Sequence, residues 1–97
     1  MKHTDIKEVF SAKEYGKKET ICGWVRTARD SKNVAFIELN DGTTLKHIQV
    51  VIDKEKGIEY SDEAMKLGAS LKVVGELVEG RQGYPEINAE EIVVIGK

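Results

Sequence analysis

At 97 residues, with 40% hydrophobic and 33% charged side chains and one proline, the chain has room for one modest core and is not a disordered tail. A lone cysteine, Cys22, excludes an internal disulfide and fits a reducing, cytoplasmic setting. Fifteen basic against seventeen acidic residues give a net charge of −2, which argues against sequence-blind phosphate binding by a broadly basic surface.

The N-terminus runs from Met1-Lys2-His3-Thr4-Asp5 straight into Ile6-Lys7-Glu8, so no leader-like apolar run follows its first charges. Residues 1–18 read as an N-terminal arm or short helix, with Ile6, Val9, Phe10 and Ala12 at roughly helical spacing. From Thr20 the pattern becomes strand-like, Ile21, Gly23 and Val25 alternating with Cys22, Trp24 and Arg26. Gly23 marks a place where a long first strand can bend sharply. Asp30-Ser31-Lys32-Asn33 is turn chemistry, and residues 34–39 alternate again. Asn40-Asp41-Gly42 predicts a tight hairpin into a third strand, with Ile48, Val50 and Ile52 on one face.

Beyond Asp53 the period lengthens. Tyr60, Ala64 and Leu67 read as a short helix capped by Ser61 and stopped by Gly68. Residues 71–78 form a fourth strand, and Gly80-Arg81-Gln82-Gly83-Tyr84-Pro85 a loop. Residues 86–95 form a fifth strand, bent because Ile87 and Ala89 share one parity while Ile92 and Val94 share the other. Residues 92–95 form an apolar stretch of only four, far short of the roughly 20 that a membrane-spanning helix needs. Three strands, a short helix and two strands is the order of an all-β OB-fold, a five-stranded Greek-key barrel with its helix between strands three and four. The whole of 1–97 reads as one such unit.

Catalytic and metal-binding patterns are missing. His3, His47 and Cys22 are too few and too scattered for a zinc set, and neither a phosphate-cradling loop nor a dinucleotide fingerprint occurs. Glu90 and Glu91 are strand neighbours, expected on opposite faces and unable to share a proton. The informative feature is the outer face of strands two and three. Core alternation sends Ala35, Ile37 and Leu39 inward and Phe36 outward; it sends Ile48, Val50 and Ile52 inward and Gln49 outward. An exposed ring beside an exposed amide suits a base-reading surface, where OB-folds bind oligonucleotides. The other reading of Phe36 is packing under a loop or the N-terminal arm. The first half of the chain also offers a small basic patch of Lys17, Lys18, Arg26, Arg29, Lys32 and Lys46, or simply an ordinary solvated surface.

Gly23-Trp24-Val25-Arg26-Thr27-Ala28-Arg29-Asp30-Ser31-Lys32, Phe36-Ile37-Glu38-Leu39-Asn40-Asp41-Gly42 and Ile48-Gln49-Val50-Val51 resemble the N-terminal anticodon-binding domain of asparaginyl-tRNA synthetases. Gly75-Glu76-Leu77-Val78, Glu86-Ile87-Asn88-Ala89 and Ile92-Val93-Val94 extend the resemblance over nearly the whole chain. It implies a tRNA anticodon stem-loop as partner, with Phe36 stacking on the middle uridine and Gln49 hydrogen-bonding it. Arg29 would contact that base or its phosphate, and Glu86 is a candidate reader of a neighbouring base. Arg26 and Lys32 complete the expected RNA-binding set, while Trp24 is expected to be structural. Ideal alternation puts Arg29 on the parity of buried Val25, so a bulge, or the strand's end near Ala28, must bring it outward.

The catalytic motifs of such synthetases are missing from the chain, so no aminoacylation, ATP or magnesium binding is expected of it; those belong to a separate catalytic domain. The resemblance further implies a homodimeric parent enzyme and a monomeric isolated domain. The alternative is a free-standing OB module that binds single-stranded nucleic acid or a protein.

Overall fold

The computed structural model describes residues 3–96. Met1 and Lys2 of the expected arm, and Lys97, lie outside the described residues. A short helix, α1 (Ile6–Ala12), precedes five strands: β1 (Lys18–Asp30), β2 (Val34–Asn40), β3 (Ile48–Asp53), β4 (Ser70–Glu79) and β5 (Pro85–Gly96). The strands close into a barrel in the order β1-β2-β3-β5-β4. β3 and β5 run parallel and the other pairs antiparallel, giving the Greek-key barrel of an OB-fold.

β1 serves both halves of the barrel. Residues 18–24 pair with β4, and the stretch from Trp24 to Asp30 pairs with β2. Gly23 sits at the corner, where a Cβ would lie 2.8 Å from the Asn40 carbonyl oxygen, so the close approach of β1 and β2 requires glycine. Just beyond, the register passes from Val25↔Leu39 to Thr27↔Glu38 and leaves Arg26 without a partner. This bulge reverses the parity of β1. Arg29 therefore becomes the Cα partner of Phe36 and shares its outer face, where ideal alternation would have turned it inward. A second irregularity skips Glu90 between Val74↔Glu91 and Gly75↔Ala89, and it is the bend expected in β5. It also corrects one expectation: Glu90 and Glu91 are both exposed, because the bulge suspends alternation there.

The core is made of the inward residues of all five strands. Ile21, Val25, Ala35, Ile37, Leu39, Ile48, Val50, Ile52, Leu71, Val73, Leu77, Ile87 and Ala89 are buried, joined by Ile6 and Val9 of α1. Asp5 precedes α1 but makes no side-chain cap. The first helical N–H groups are instead satisfied from the β2–β3 loop, Ile6 N–H donating to Asp41 Oδ2 at 2.8 Å and Lys7 N–H to Thr43 Oγ1 at 3.0 Å.

That loop is longer than the tight hairpin its Asn-Asp-Gly signal predicts, since β3 begins only at Ile48. The reason is Asn40. Its buried amide accepts from Gly42 N–H and donates to the carbonyls of Thr44 and Lys46, so it organises a wide loop from within. Between β3 and β4 the expected short helix is two 3-10 turns, Lys54–Lys56 and Asp62–Met65. Ser61 stands at the N-cap without a side-chain hydrogen bond, and Leu67 is exposed. Ala64 is buried and anchors the second turn, and Met65 packs against the core.

Candidate nucleic-acid interface

Strand register arranges the outer face of the barrel in two parallel rows. The first runs Thr27, Glu38, Gln49, Glu86 across β1, β2, β3 and β5, each the Cα partner of the next. The second runs Arg29, Phe36, Val51, Asn88 across the same strands. Residues two apart on a strand share a face at roughly 7 Å, so the rows lie side by side. The first row is hydrogen-bonded: Thr27 Oγ1 donates to Glu38 Oε1 at 2.7 Å and Gln49 Nε2 to Glu86 Oε2 at 3.0 Å. In the second, the Arg29 guanidinium lies over the Phe36 ring, 4.8 Å from its centroid. Phe36 and Gln49 are diagonal neighbours, close enough for one planar ligand to meet both.

Loops and α1 turn this face into a groove of about 390 Å³. Phe36, Gln49, Arg29 and Glu86, four of the six residues singled out from sequence, line it together. Phe10 of α1 forms one wall with Lys46, whose Nζ stands 5.2 Å from the Phe10 ring centroid. The β4–β5 loop supplies Arg81 and Tyr84, the latter 54% exposed. Glu38, His47 and Gln82 add to the polar lining. Arg29, Lys46 and Arg81 thus bring three cations to a groove that also holds two carboxylates, which is compatible with a phosphate chain passing over selectively read bases.

The other two predicted residues lie elsewhere. Arg26, displaced by the bulge, lines an adjoining groove with Thr43, Thr44 and His47, and His47 is common to both grooves. Lys32 is exposed in the turn between β1 and β2. Lys17 and Lys18 of the sequence patch are tied to Glu14 and Glu90. Trp24 lies against the Asn40–Gly42 corner: a Cβ on Gly42 would stand 3.4 Å from its ring. Burial pushes the Cys22 thiol up, with Lys72 opposing weakly. Partial burial would also raise the Asp41 carboxyl, but hydrogen bonds from Ile6 N–H and from the hydroxyl and N–H of Thr43 outweigh it and hold the group below its ordinary value.

Phe10, Arg81 and Tyr84 escaped the sequence reading. Phe10 carried a signal, being an aromatic at the edge of the apolar stripe formed by Ile6 and Val9, but nothing local says that α1 lies beside the β2–β3 loop. Arg81 and Tyr84 sit in a loop whose 3-10 turn, Arg81–Gly83, contains Gln82 at φ 60°, a conformation without a periodic signature.

Comparison with known proteins agrees with this geometry. Residues 19–95 match the tRNA anticodon family described as an OB-fold nucleic acid binding domain. The asparagine–tRNA ligase of Oleidesulfovibrio alaskensis is 40% identical over 99 residues, covering 100% of this chain and 22% of the relative. That of Parabacteroides distasonis is 41% identical over 101 residues, covering 99% and 21%. The chain therefore spans about a fifth of the length of the curated relatives it matches. Among solved structures, asparaginyl-tRNA synthetase from Pyrococcus horikoshii superposes with a TM-score of 0.77 at 23% identity, over 98% of this chain and 23% of that one. OBody AM3L09 bound to hen egg-white lysozyme superposes at 0.80 and 17% identity, over 100% and 98%. These two share the fold. The match over residues 19–95 and the relatives at about 40% identity show that the chain belongs to the tRNA anticodon family of OB-fold nucleic acid binding domains, in the form found within asparagine–tRNA ligases.

Proposed function

We propose that the groove reads the anticodon loop of a tRNA and that the chain serves as the anticodon-binding part of an asparagine–tRNA ligase. The observation that carries this is the pairing of a stacking row with a polar row at diagonal distance, Phe36 beside Gln49. Phe36 stacks on the middle base, a uridine, and the Gln49 amide bonds its edge. Arg29 neutralises the phosphate of that nucleotide or touches the base, and one oxygen of Glu86 stays open for a neighbouring base. Arg26 and Lys32 meet the phosphate chain as it leaves the groove.

The matched relative extends well beyond this chain, which covers 22% of it; in our reading the remaining part attaches asparagine with ATP and magnesium, and the parent ligase is a cytoplasmic homodimer. The separate domain is monomeric. A second reading has one observation in its favour: an OBody, a barrel of the same shape, binds a protein, lysozyme.

Spectral mapping with an isotopically labelled chain and an anticodon stem-loop separates the two. Shifts confined to Phe36, Gln49, Arg29, Glu86 and Tyr84 support RNA reading. Shifts confined to the separate groove of Tyr60, Ile92 and Val94, or none at all, contradict it.

A further inference from the structure

Gln49 and Glu86 are Cα partners across β3 and β5, and the amide nitrogen of one donates to the carboxylate of the other at 3.0 Å. An ionised carboxylate only accepts hydrogen bonds, so it attracts the amide nitrogen and repels the amide oxygen. Gly80 packs directly against the Glu86 side chain, on the oxygen that accepts from Gln49. A Cβ on Gly80 would lie 2.2 Å from Glu86 Cδ and 2.4 Å from Oε2. The Gly80 N–H is bonded to the Tyr84 carbonyl at 2.7 Å, so the loop is anchored and an added methyl group would push the Glu86 side chain aside.

We propose that Glu86 is a positioning residue that locks the direction of the Gln49 amide, with Gly80 keeping the space for it, and that this lock selects uridine over cytidine. The proposal rests on the base-reading function given above. With one Nε2–H committed to Glu86, Gln49 offers a base its Oε1 and one remaining N–H. Uracil carries a ring N–H between two carbonyl oxygens: the ring N–H donates to Oε1 and a carbonyl accepts from the free amide N–H. Cytosine in the same stacked position brings an unprotonated ring nitrogen against Oε1, acceptor facing acceptor. Turning the amide over would relieve this, and the carboxylate opposes the turn. A glutamine in place of Glu86 both donates and accepts, so it tolerates either orientation of Gln49.

Two measurements on the 97-residue chain test this, using wild type, Glu86→Gln and Gly80→Ala. In side-chain amide spectra without RNA, one Nε2 proton of wild-type Gln49 is expected to be displaced from those of the exposed Gln82. In both variants it is expected to return toward them. In titrations against stem-loops with uridine or cytidine at the middle position, the uridine preference is expected to fall roughly tenfold in Glu86→Gln. An unchanged uridine-to-cytidine ratio, or an equal loss for both loops, overturns the proposal. An undisplaced Gln49 signal in wild type overturns the lock by itself. A wild-type chain that binds neither loop overturns the base-reading function, and the amide spectrum still decides the lock.

Discussion

Phe36 and its neighbour Ile37 show what a one-residue difference in facing does. Ile37 is buried in the core, while Phe36 lines the groove under the Arg29 guanidinium. Truncating the ring should leave the fold intact and remove a stacking surface that every base can use. Phe36→Ala is therefore expected to weaken anticodon-loop binding by about 1–3 kcal/mol whatever the base, with little change in the unfolding midpoint. Titration and thermal unfolding of the same variant check both halves of that statement. The facing of both residues was legible because β2 alternates regularly from Val34 to Leu39. The position of Arg29 was not, since its parity is reversed by a bulge that no turn residue announces.

Among the elements, α1 and the β2–β3 loop depend on each other. The loop provides the acceptors that α1 lacks at its own N-terminus, through Asp41 and Thr43. Because the Asp41 carboxyl is held below its ordinary value in the folded chain, its contribution to stability is present above the unfolded value near 3.9 and is lost as pH falls through the lower, folded value. The thermal midpoint of Asp41→Asn should accordingly lie below that of wild type near neutrality, and the two should converge in acid. A gap that persists in acid would mean that the charge is not what matters.

The sequence signal at this junction was misleading for a definite reason. Asn-Asp-Gly promises a tight turn, but here Asn40 and Asp41 spend their side chains on the loop and on the helix. The β3–β4 connection misled in a similar way. Only Ala64 of its short apolar pattern is fully buried, and a 3-10 turn needs no more than one such anchor.

At the scale of the whole molecule, one small barrel has to be stable enough to present a rigid face. Ile37 and Val50 are Cα partners, fully buried between β2 and β3, directly behind the groove. Ile37→Ala is expected to cost about 2–4 kcal/mol, a large fraction of what a chain of this size holds. Denaturant titration measures it, and an unchanged midpoint would contradict the inward assignment of β2 on which the groove depends. The order of elements along the chain was readable from alternation and turn residues, and the barrel class followed from matching that order to an OB-fold. The shape of the groove was not, because α1 and the β4–β5 loop are set beside it by contacts distant in sequence, Phe10 beside Lys46 and the Tyr15 hydroxyl on the Gly83 carbonyl.

Base reading by Gln49 is the central claim, and one titration addresses it most directly: wild type and Gln49→Ala against stem-loops that differ only in the middle anticodon base. Wild type is expected to prefer uridine. The substitution is expected to cost most for the uridine loop and little where that base is already wrong, because only a correct edge engages the amide. Equal weakening of all four loops by Gln49→Ala would contradict the account.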